Sequence, residues 1–217
     1  MRWGMVIDLT RCIGCFSCVL ACKQTHFLPP GVFWPRIVIG ETGKYPATQK
    51  QLLPVLCNHC SDAPCQQVCP TEATQVREDG IVWVDHDKCI GCRYCVVACP
   101  YQHRTYLDDQ LDKEYFPGKG LTPIEEIGRK LYPLQKGTTV KCNFCIERID
   151  EGLKNGLSPG VDREATPACV NNCPAGARVF GDLDDPMGEP SMLIRERKGS
   201  QLRPEFLTDP SVWYVRY

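Results

Sequence analysis

The segment CIGCFSCVLAC at residues 12–22 recurs as CIGCRYCVVAC at residues 89–99, and these two segments decide the fold. Both place their cysteines in the pattern C-x2-C-x2-C-x3-C. Asp8 precedes the first segment at the same distance as Asp85 precedes the second. Self-similarity of this kind indicates duplication of one structural unit.

All 16 cysteines of the 217-residue chain fall into four groups. Groups one and three carry the bacterial ferredoxin pattern, whose thiolates hold [4Fe–4S] clusters. At four thiolates per cluster, the sequence predicts four [4Fe–4S] clusters with no cysteine left over. The groups are Cys12, Cys15, Cys18 and Cys22; Cys57, Cys60, Cys65 and Cys69; Cys89, Cys92, Cys95 and Cys99; and Cys142, Cys145, Cys169 and Cys173.

Two other uses of cysteine fit this spacing less well. Disulfide scaffolds are typical of short secreted chains, and we expect no signal peptide because the opening MRWGMVID has no apolar core and no cleavage site. Four-cysteine zinc sites use two close pairs far apart. Groups one and three instead place three cysteines close together and a fourth one helical turn later. The spacing therefore favours iron–sulfur clusters.

The third and fourth cysteines of every group are separated by three residues, as Cys18 and Cys22 are. On a helix that begins near the third cysteine, both side chains lie on one face, about 6 Å apart along the axis. One cluster does not easily take both, so we expect the fourth cysteine to serve a second cluster, as in two-cluster ferredoxins.

This reasoning pairs groups two and three within one stretch, and leaves groups one and four to pair across the chain. The predicted ligand sets are Cys57, Cys60, Cys65 with Cys99; Cys89, Cys92, Cys95 with Cys69; Cys12, Cys15, Cys18 with Cys173; and Cys142, Cys145, Cys169 with Cys22.

The sequence predicts an α+β fold of two duplicated bacterial-ferredoxin-like modules with loop insertions and an extended C-terminal tail. Residues 51–105 form a continuous module, and residues 1–50 together with 136–181 form a discontinuous one. Residues 106–135 are an insertion. Residues 182–217 are expected to form a partner-docking tail with exposed aromatic residues, and packing of the tail on its own module is the alternative. The aromatic residues are Trp213, Tyr214 and Tyr217.

Several local elements are predicted. Residues 74–85 read as a hairpin with an Asp-Gly turn, residues 5–8 and 81–84 as strands, and residues near 124–131 as a short helix. The proline-rich residues 23–56 are expected to form an irregular crossover.

The residue after each fourth cysteine separates group one from the others. Pro70, Pro100 and Pro174 each follow the fourth cysteine and end a short helix. Lys23 follows Cys22 instead, so the first helix is expected to run further.

Composition excludes other classes of function. Lys and Arg are scattered in a chain of net charge −1, which argues against nucleic acid as a partner. No run of 18 apolar residues exists, so we expect no direct membrane span.

Candidate tuning residues are few, and we predict no catalytic residue. His59, between two cysteines of group two, is expected either to hydrogen-bond a sulfur or to pack. Arg93 and Tyr94 are candidates to tune a cluster potential or to meet an acceptor. No sequence pattern suggests a functional partner for the other histidines, which are His26, His86 and His103.

The chain resembles the four-cluster electron-transfer subunits of the dimethyl-sulfoxide-reductase superfamily of molybdenum or tungsten enzymes, over roughly residues 1–181. The resemblance rests on the order of the groups, the interval of four residues between Cys60 and Cys65, the Cys-Pro-Tyr at 99–101 and the split fourth group. Residues 3–8 and 30–33 are similar to the polysulfide and phenylacetyl-CoA branch.

The resemblance implies a non-catalytic subunit that relays electrons between a molybdopterin catalytic subunit and a membrane anchor or soluble acceptor. The cluster on Cys12, Cys15, Cys18 and Cys173 would lie nearest the molybdopterin. The set containing Cys142 would follow, then the set containing Cys57, and the set containing Cys89 would be distal. The complex would be membrane-associated, on a face of the membrane that the sequence leaves open.

Two alternatives belong to other classes of function. A free-standing polyferredoxin would need no partner subunit. An iron–sulfur enzyme of the dehydratase type needs an iron without a cysteine ligand, and the complete sets of four argue against it.

Overall fold

The computed structural model describes residues 1–216, and within them ten strands and seven helices follow one another. The strands are β1 Trp3–Asp8, β2 Arg36–Thr42, β3 Gln49–Val55, β4 Thr74–Val76, β5 Val82–Val84, β6 Thr105–Tyr106, β7 Thr139–Val140, β8 Arg178–Asp182, β9 Ser200–Gln201 and β10 Val212–Val215. The helices are α1 Ser17–Thr25, α2 Pro64–Gln67, α3 Tyr94–Ala98, α4 Pro123–Leu131, α5 Ile146–Lys154, α6 Ala168–Asn171 and α7 Glu189–Glu196. This mixture of helices and small sheets confirms the predicted fold class.

A four-stranded sheet in the order β8-β1-β10-β9 forms the largest layer. Strand β1 pairs on both edges, antiparallel with β8 and parallel with β10, and all six of its residues are buried. Met5 is the partner of Phe180 on one side and of Val212 on the other. The sheet therefore joins the beginning of the chain to residues near its end.

Three two-stranded hairpins complete the β-structure of the described residues. The pairing of β4 with β5 confirms the hairpin predicted at residues 74–85. The pairing of β6 with β7 closes the segment that contains α4. Helix α4 confirms the helix predicted near 124–131, and it begins with a reciprocal capping box between Thr122 and Glu125.

One hydrophobic core connects the regions assigned to the two predicted modules. Met5 and Phe144 from the discontinuous module share it with Ile81 from the continuous one and with Leu107 from the insertion. The two predicted modules therefore share a core, and their boundaries stay a prediction.

The exposed aromatic residues predicted for the C-terminal tail need correction, because strand β10 follows the stated alternative and packs on its own module. Strand β10 lies beside β1 inside the sheet, and the Tyr214 side chain is 2% exposed. Its hydroxyl donates a hydrogen bond to the Pro54 carbonyl at 2.9 Å. The physical reason is that β1 would otherwise leave an apolar edge unpaired, and residues of β10 cover it. Trp213 is half-buried, and Tyr217 lies outside the described residues.

The predicted irregular crossover at residues 23–56 also needs correction. Strands β2 and β3 form a regular antiparallel hairpin with partners from Arg36 and Val55 to Thr42 and Gln49. Most of β2 is exposed, including Val38 and Ile39. The number of prolines in this segment suggested irregular structure and concealed the hairpin. The prolines are compatible with it because they lie outside the hairpin or near its ends, where the edge of a two-stranded sheet tolerates them.

Candidate metal-cluster sites

Tight left-handed turns shape each cysteine loop. Phe16, His59, Arg93 and Phe144 all have positive φ, and each is the neighbour of the second cysteine in its group. Non-glycine residues rarely adopt this conformation. The turn sends the chain back on itself, so that successive cysteines face one centre rather than alternate sides.

Helices begin at or near the third cysteine of each group, as the spacing predicts. Helices α2, α3 and α6 contain only four, five and four residues, and each ends before the fourth cysteine. Helix α1 has nine residues and includes Cys22, which confirms that the first helix runs further.

The structure gathers the cysteines into four sites, each with three cysteines from one group and one from another. Site one is lined by Cys12, Cys15, Cys18 and Cys173. Site three is lined by Cys57, Cys60, Cys65 and Cys99. Site four is lined by Cys69, Cys89, Cys92 and Cys95. Site two contains the remaining four, Cys22, Cys142, Cys145 and Cys169.

Site two is the most enclosed, since all four of its cysteines are buried. Helix α1 packs directly against α6, which brings Cys22 and Cys169 together. Burial raises the pKa of Cys22 well above its ordinary value, and Cys142, Cys145 and Cys169 raise it further.

The chemistry of these sites fits a group that brings positive charge to thiolates. Burial raises the pKa of Cys60 to about 12, and the other three cysteines of site three add to this shift. Burial likewise raises the pKa of Cys142 to about 12. Buried thiols whose pKa is raised in this way ionise at neutral pH only when a cationic centre compensates them, and iron in a [4Fe–4S] cluster does so. Within residues 1–216, no three His, Cys, Asp or Glu side chains are spaced to hold one single ion.

Backbone N–H groups also point at sulfur in corresponding places. The Ala177 N–H donates to Cys173 Sγ at 3.2 Å, and the Thr74 N–H donates to Cys69 Sγ at 3.4 Å. Against the opposing effect of burial, such donors hold the pKa of Cys69 below its ordinary value. Hydrogen bonds to sulfur are among the factors that set cluster potentials.

Two roles were expected for His59, and the structure shows the packing role. Its ring is fully buried, and Nδ1 accepts a hydrogen bond from the Val82 N–H at 3.1 Å. The ring stacks on Phe144 with centroids 3.7 Å apart. No sulfur is among its hydrogen-bond partners in the described part of the chain.

His26 is a residue that the sequence reasoning missed. Its Nε2 lies 3.4 Å from Cys145 Sγ, and burial lowers the pKa of the ring to about 3. The signal was present in the sequence, because His26 lies four residues after Cys22 on a helix predicted to continue. His86 and His103 contact no cysteine sulfur through a hydrogen bond in residues 1–216.

Arg93 and Tyr94 lie at the surface beside site four, where the sequence places them. Tyr94 is 61% exposed. The Arg93 guanidinium stacks on the Tyr106 ring at 3.8 Å and lies 3.9 Å from the Asp108 carboxylate.

Two buried arginines were also missed, although a repeated pattern marks them. Arg104 and Arg178 each follow a fourth cysteine in the pattern Cys-Pro-x3-Arg, at residues 99–104 and 173–178. Arg104 Nη2 donates to Cys65 Sγ at 3.0 Å. Arg178 lines the cavity of site one.

No helix among residues 1–216 combines the length and the apolar character needed to cross a bilayer.

Two family models match the chain. A 4Fe-4S dicluster domain covers residues 48–114, which include groups two and three, and a 4Fe-4S binding domain covers residues 3–24, which include group one. These matches confirm the prediction of multiple [4Fe–4S] clusters.

Similar proteins match over nearly the whole chain. A Halobacterium salinarum protein, named provisionally as an iron-sulfur subunit of dimethyl sulfoxide reductase, is 42% identical over 99% of this chain and 79% of its own length. The arsenate respiratory reductase iron-sulfur subunit ArrB of Shewanella sp. strain ANA-3 is 41% identical over 100% of this chain and 97% of its own length. One subunit of the tetrathionate reductase of Salmonella typhimurium is 36% identical over 99% of this chain and 72% of its own length.

Proposed function

We propose that this chain, which belongs to the family of iron–sulfur subunits of dimethyl-sulfoxide-reductase-type enzymes, relays electrons through four [4Fe–4S] clusters to or from a molybdopterin catalytic subunit. The four cysteines of each site are its proposed ligands. A bound [4Fe–4S] cluster accepts and releases an electron at a potential that its surroundings set. The preference for the polysulfide and phenylacetyl-CoA branch stays a prediction, since the similar proteins named above belong to other enzymes.

The observation that supports a relay is the order in which the four sites adjoin. Cys18 of site one is close enough to Cys169 of site two for its charge to raise the pKa of Cys169, after the larger effect of burial. Cys57 of site three acts in the same way on Cys142 of site two. Arg104 lines both site three and site four. The sites therefore adjoin in the order one, two, three and four.

The two ends of this series lie near the surface and carry apolar residues. Ile13 is 66% exposed beside site one, and Ile90 is equally exposed beside site four. Exposed apolar residues around a surface redox site suit docking of another protein. We assign the end at site one to the molybdopterin subunit, and the end at site four to a membrane anchor or a soluble acceptor.

The chain itself is the non-catalytic part of the proposed complex, and substrate turnover belongs to the partner subunit. Similarity to named reductase subunits along 99% or more of the chain disfavours a free-standing polyferredoxin. We further propose that the complex is membrane-associated and that this subunit contributes no membrane span.

The test uses the assembled complex and a Cys92→Ala variant in the distal site. Turnover with a small dye that reaches the catalytic cofactor directly is expected to persist. Turnover with the physiological acceptor is expected to fall to near zero, because the path is cut beyond site three. Arg195→Gln, an exposed change on α7, is the control and is expected to keep both activities.

Iron content and gel filtration establish that the variant complex is assembled with its other sites filled, since loss of metal can unfold a module. Full acceptor activity in an assembled Cys92→Ala complex would contradict the relay. Conversion of substrate by this chain purified alone would contradict the non-catalytic role.

A further inference from the structure

Three cationic side chains are buried within residues 1–216, which is unusual because an unpaired buried charge is costly. They are Arg104, Lys141 and Arg178, which are 6%, 4% and 4% exposed. None of them forms a salt bridge with a carboxylate of the described residues. Their counter-charges therefore have to come from something other than Asp or Glu.

Arg178 lies between site one and site two. It lines the cavity of site one, and its Nη1 lies 3.9 Å from Cys169 Sγ of site two. The buried Nη2 has no hydrogen-bond partner among the described residues.

Lys141 lies between site two and site three. Its ammonium donates to the carbonyl of Cys142, a cysteine of site two, at 2.7 Å. It also donates to the carbonyl of Val82, which lines site three.

Arg104 lies between site three and site four, and it lines both cavities. Its Nη2 donates to Cys65 Sγ at 3.0 Å, and its Nη1 donates to the Thr74 hydroxyl at 3.0 Å. Thr74 in turn donates its backbone N–H to Cys69 Sγ of site four. The guanidinium thus reaches one site directly and the other through a shared residue.

The positions follow the duplication in the sequence. Arg104 and Arg178 occupy the same place after a Cys-Pro pair, one in each module, and Lys141 directly precedes the first cysteine of group four. The result is one buried cation at each of the three junctions between four sites.

We propose that Arg178, Lys141 and Arg104 set the reduction potentials of the sites that they flank, each raising the potentials of two neighbouring clusters together. The inference depends on the proposed electron relay. Reduction adds a negative charge to a cluster, and a nearby cation in a low-dielectric interior stabilises the reduced form. A cation shared equally by two sites raises both potentials and leaves the step between them unchanged.

Charge balance gives the cations a second reason to be buried. Four oxidised clusters with sixteen thiolates carry about eight negative charges. Sites two and three, in the middle of the series, are each flanked by two cations, whereas sites one and four are each flanked by one and lie nearer to water.

The test measures reduction potentials in the full chain by redox titration followed by electron paramagnetic resonance. Arg104→Gln, Arg178→Gln and Lys141→Gln remove the charge, whereas Arg104→Lys, Arg178→Lys and Lys141→Arg keep it. Arg195→Gln is the matched control at the surface. Iron and acid-labile sulfide are measured on every variant.

Each neutral variant is expected to weaken one-electron reduction of two clusters about tenfold, which corresponds to about 59 mV, and to leave the other two unchanged. Arg178→Gln and Arg104→Gln are expected to affect different pairs, and Lys141→Gln is expected to share one cluster with each of them. The charge-keeping variants are expected to remain near the parental potentials.

Unchanged potentials in fully loaded neutral variants would overturn the proposal. Charge-keeping variants that shift as far as the neutral ones would also overturn it. If the neutral variants fail to load clusters, fully loaded charge-keeping variants at parental potentials support the proposal, and failure of both kinds overturns it in favour of a packing role. A parental chain without iron and sulfide would contradict the proposed function itself, which is a separate result.

Discussion

The segments at residues 12–22 and 89–99 share their cysteine spacing, yet they form different environments. Helix α1 in the first segment has nine residues, whereas α3 in the second has five. The difference follows from the next residue: Pro100 holds Cys99 in an extended conformation, and Lys23 allows the helix to continue past Cys22. One residue outside the motif therefore decides how far its helix extends.

The longer helix changes the chemistry around its fourth cysteine. It carries the chain to His26, whose ring lies against Cys145, and it packs on α6 to enclose site two. Helix α3 gives no such cover, and its Val97 is 86% exposed. The fourth cysteine of each copy serves a middle site, yet Cys22 is buried whereas Cys99 is only half-buried.

Removal of iron is expected to have the largest effect on the structure and to remove the difference between the two copies. The reason is that the clusters connect the segments in both copies. Anaerobically purified protein is expected to contain roughly sixteen iron and sixteen sulfide. Chelation is expected to eliminate the cooperative unfolding transition followed by circular dichroism, as for other structural metal sites. Stoichiometric zinc with little sulfide would contradict the prediction.

Cys22→Ser is expected to change the signal of site two and to spare site one, although Cys22 lies in group one by sequence. The reason is the crossed grouping of Cys22 with Cys142, Cys145 and Cys169. Serine can bind iron through oxygen, so either loss of one cluster or a shifted potential is expected. Electron paramagnetic resonance and iron content measure the outcome, with Ser17→Ala as the control. Loss of the site-one signal would contradict the crossed arrangement.

Lys23→Pro makes the first copy resemble the second by ending α1 after Cys22. Proline inside a helix costs about 3 kcal/mol, because it removes a hydrogen bond and clashes with the preceding turn. We expect the denaturant midpoint for loss of the visible cluster absorbance to fall, with faster release of iron from site two. Lys23→Ala is the matched control for loss of the side chain, which donates to the carbonyls of Pro29 and Val32. Equal effects of both changes would show that the lower midpoint results from loss of the Lys23 side chain rather than from the shortened helix.

The smallest expected effect distinguishes the glycines of the two copies. Gly14 and Gly91 have φ of 68° and 67°, so alanine is strained at both. A Cβ at Gly91 would clash with the Gly137 carbonyl oxygen, whereas one at Gly14 would meet the Leu52 side chain at 3.0 Å. Because a side chain moves more easily than backbone, we expect Gly91→Ala to cost about 1–3 kcal/mol more than Gly14→Ala. The same denaturant midpoint measures both, and equal midpoints would contradict the difference.

Local features were the most predictable from the sequence. The hairpin at 74–85 follows from an Asp-Gly turn between β-forming residues, and the short helix expected near 124–131 is α4. Strand β10 was misjudged as a tail because its partner β1 lies at the other end of the chain, and no local pattern encodes such a pairing. The hairpin of β2 and β3 was missed because its strands are largely exposed and lack a strong alternation of apolar and polar residues.

The sequence by itself determined the number of cysteines, their spacing and the length of each cysteine-loop helix, because these depend on residues within one or two turns of each other. Only the tertiary structure decided the contact of His26 with Cys145 and the burial of three cations from among 25 Lys and Arg residues. Burial and charge proximity arise from residues far apart in sequence, and local chain geometry does not determine them. The ligand spacing can therefore be read from the sequence, whereas the electrostatic surroundings of the ligands depend on the folded structure.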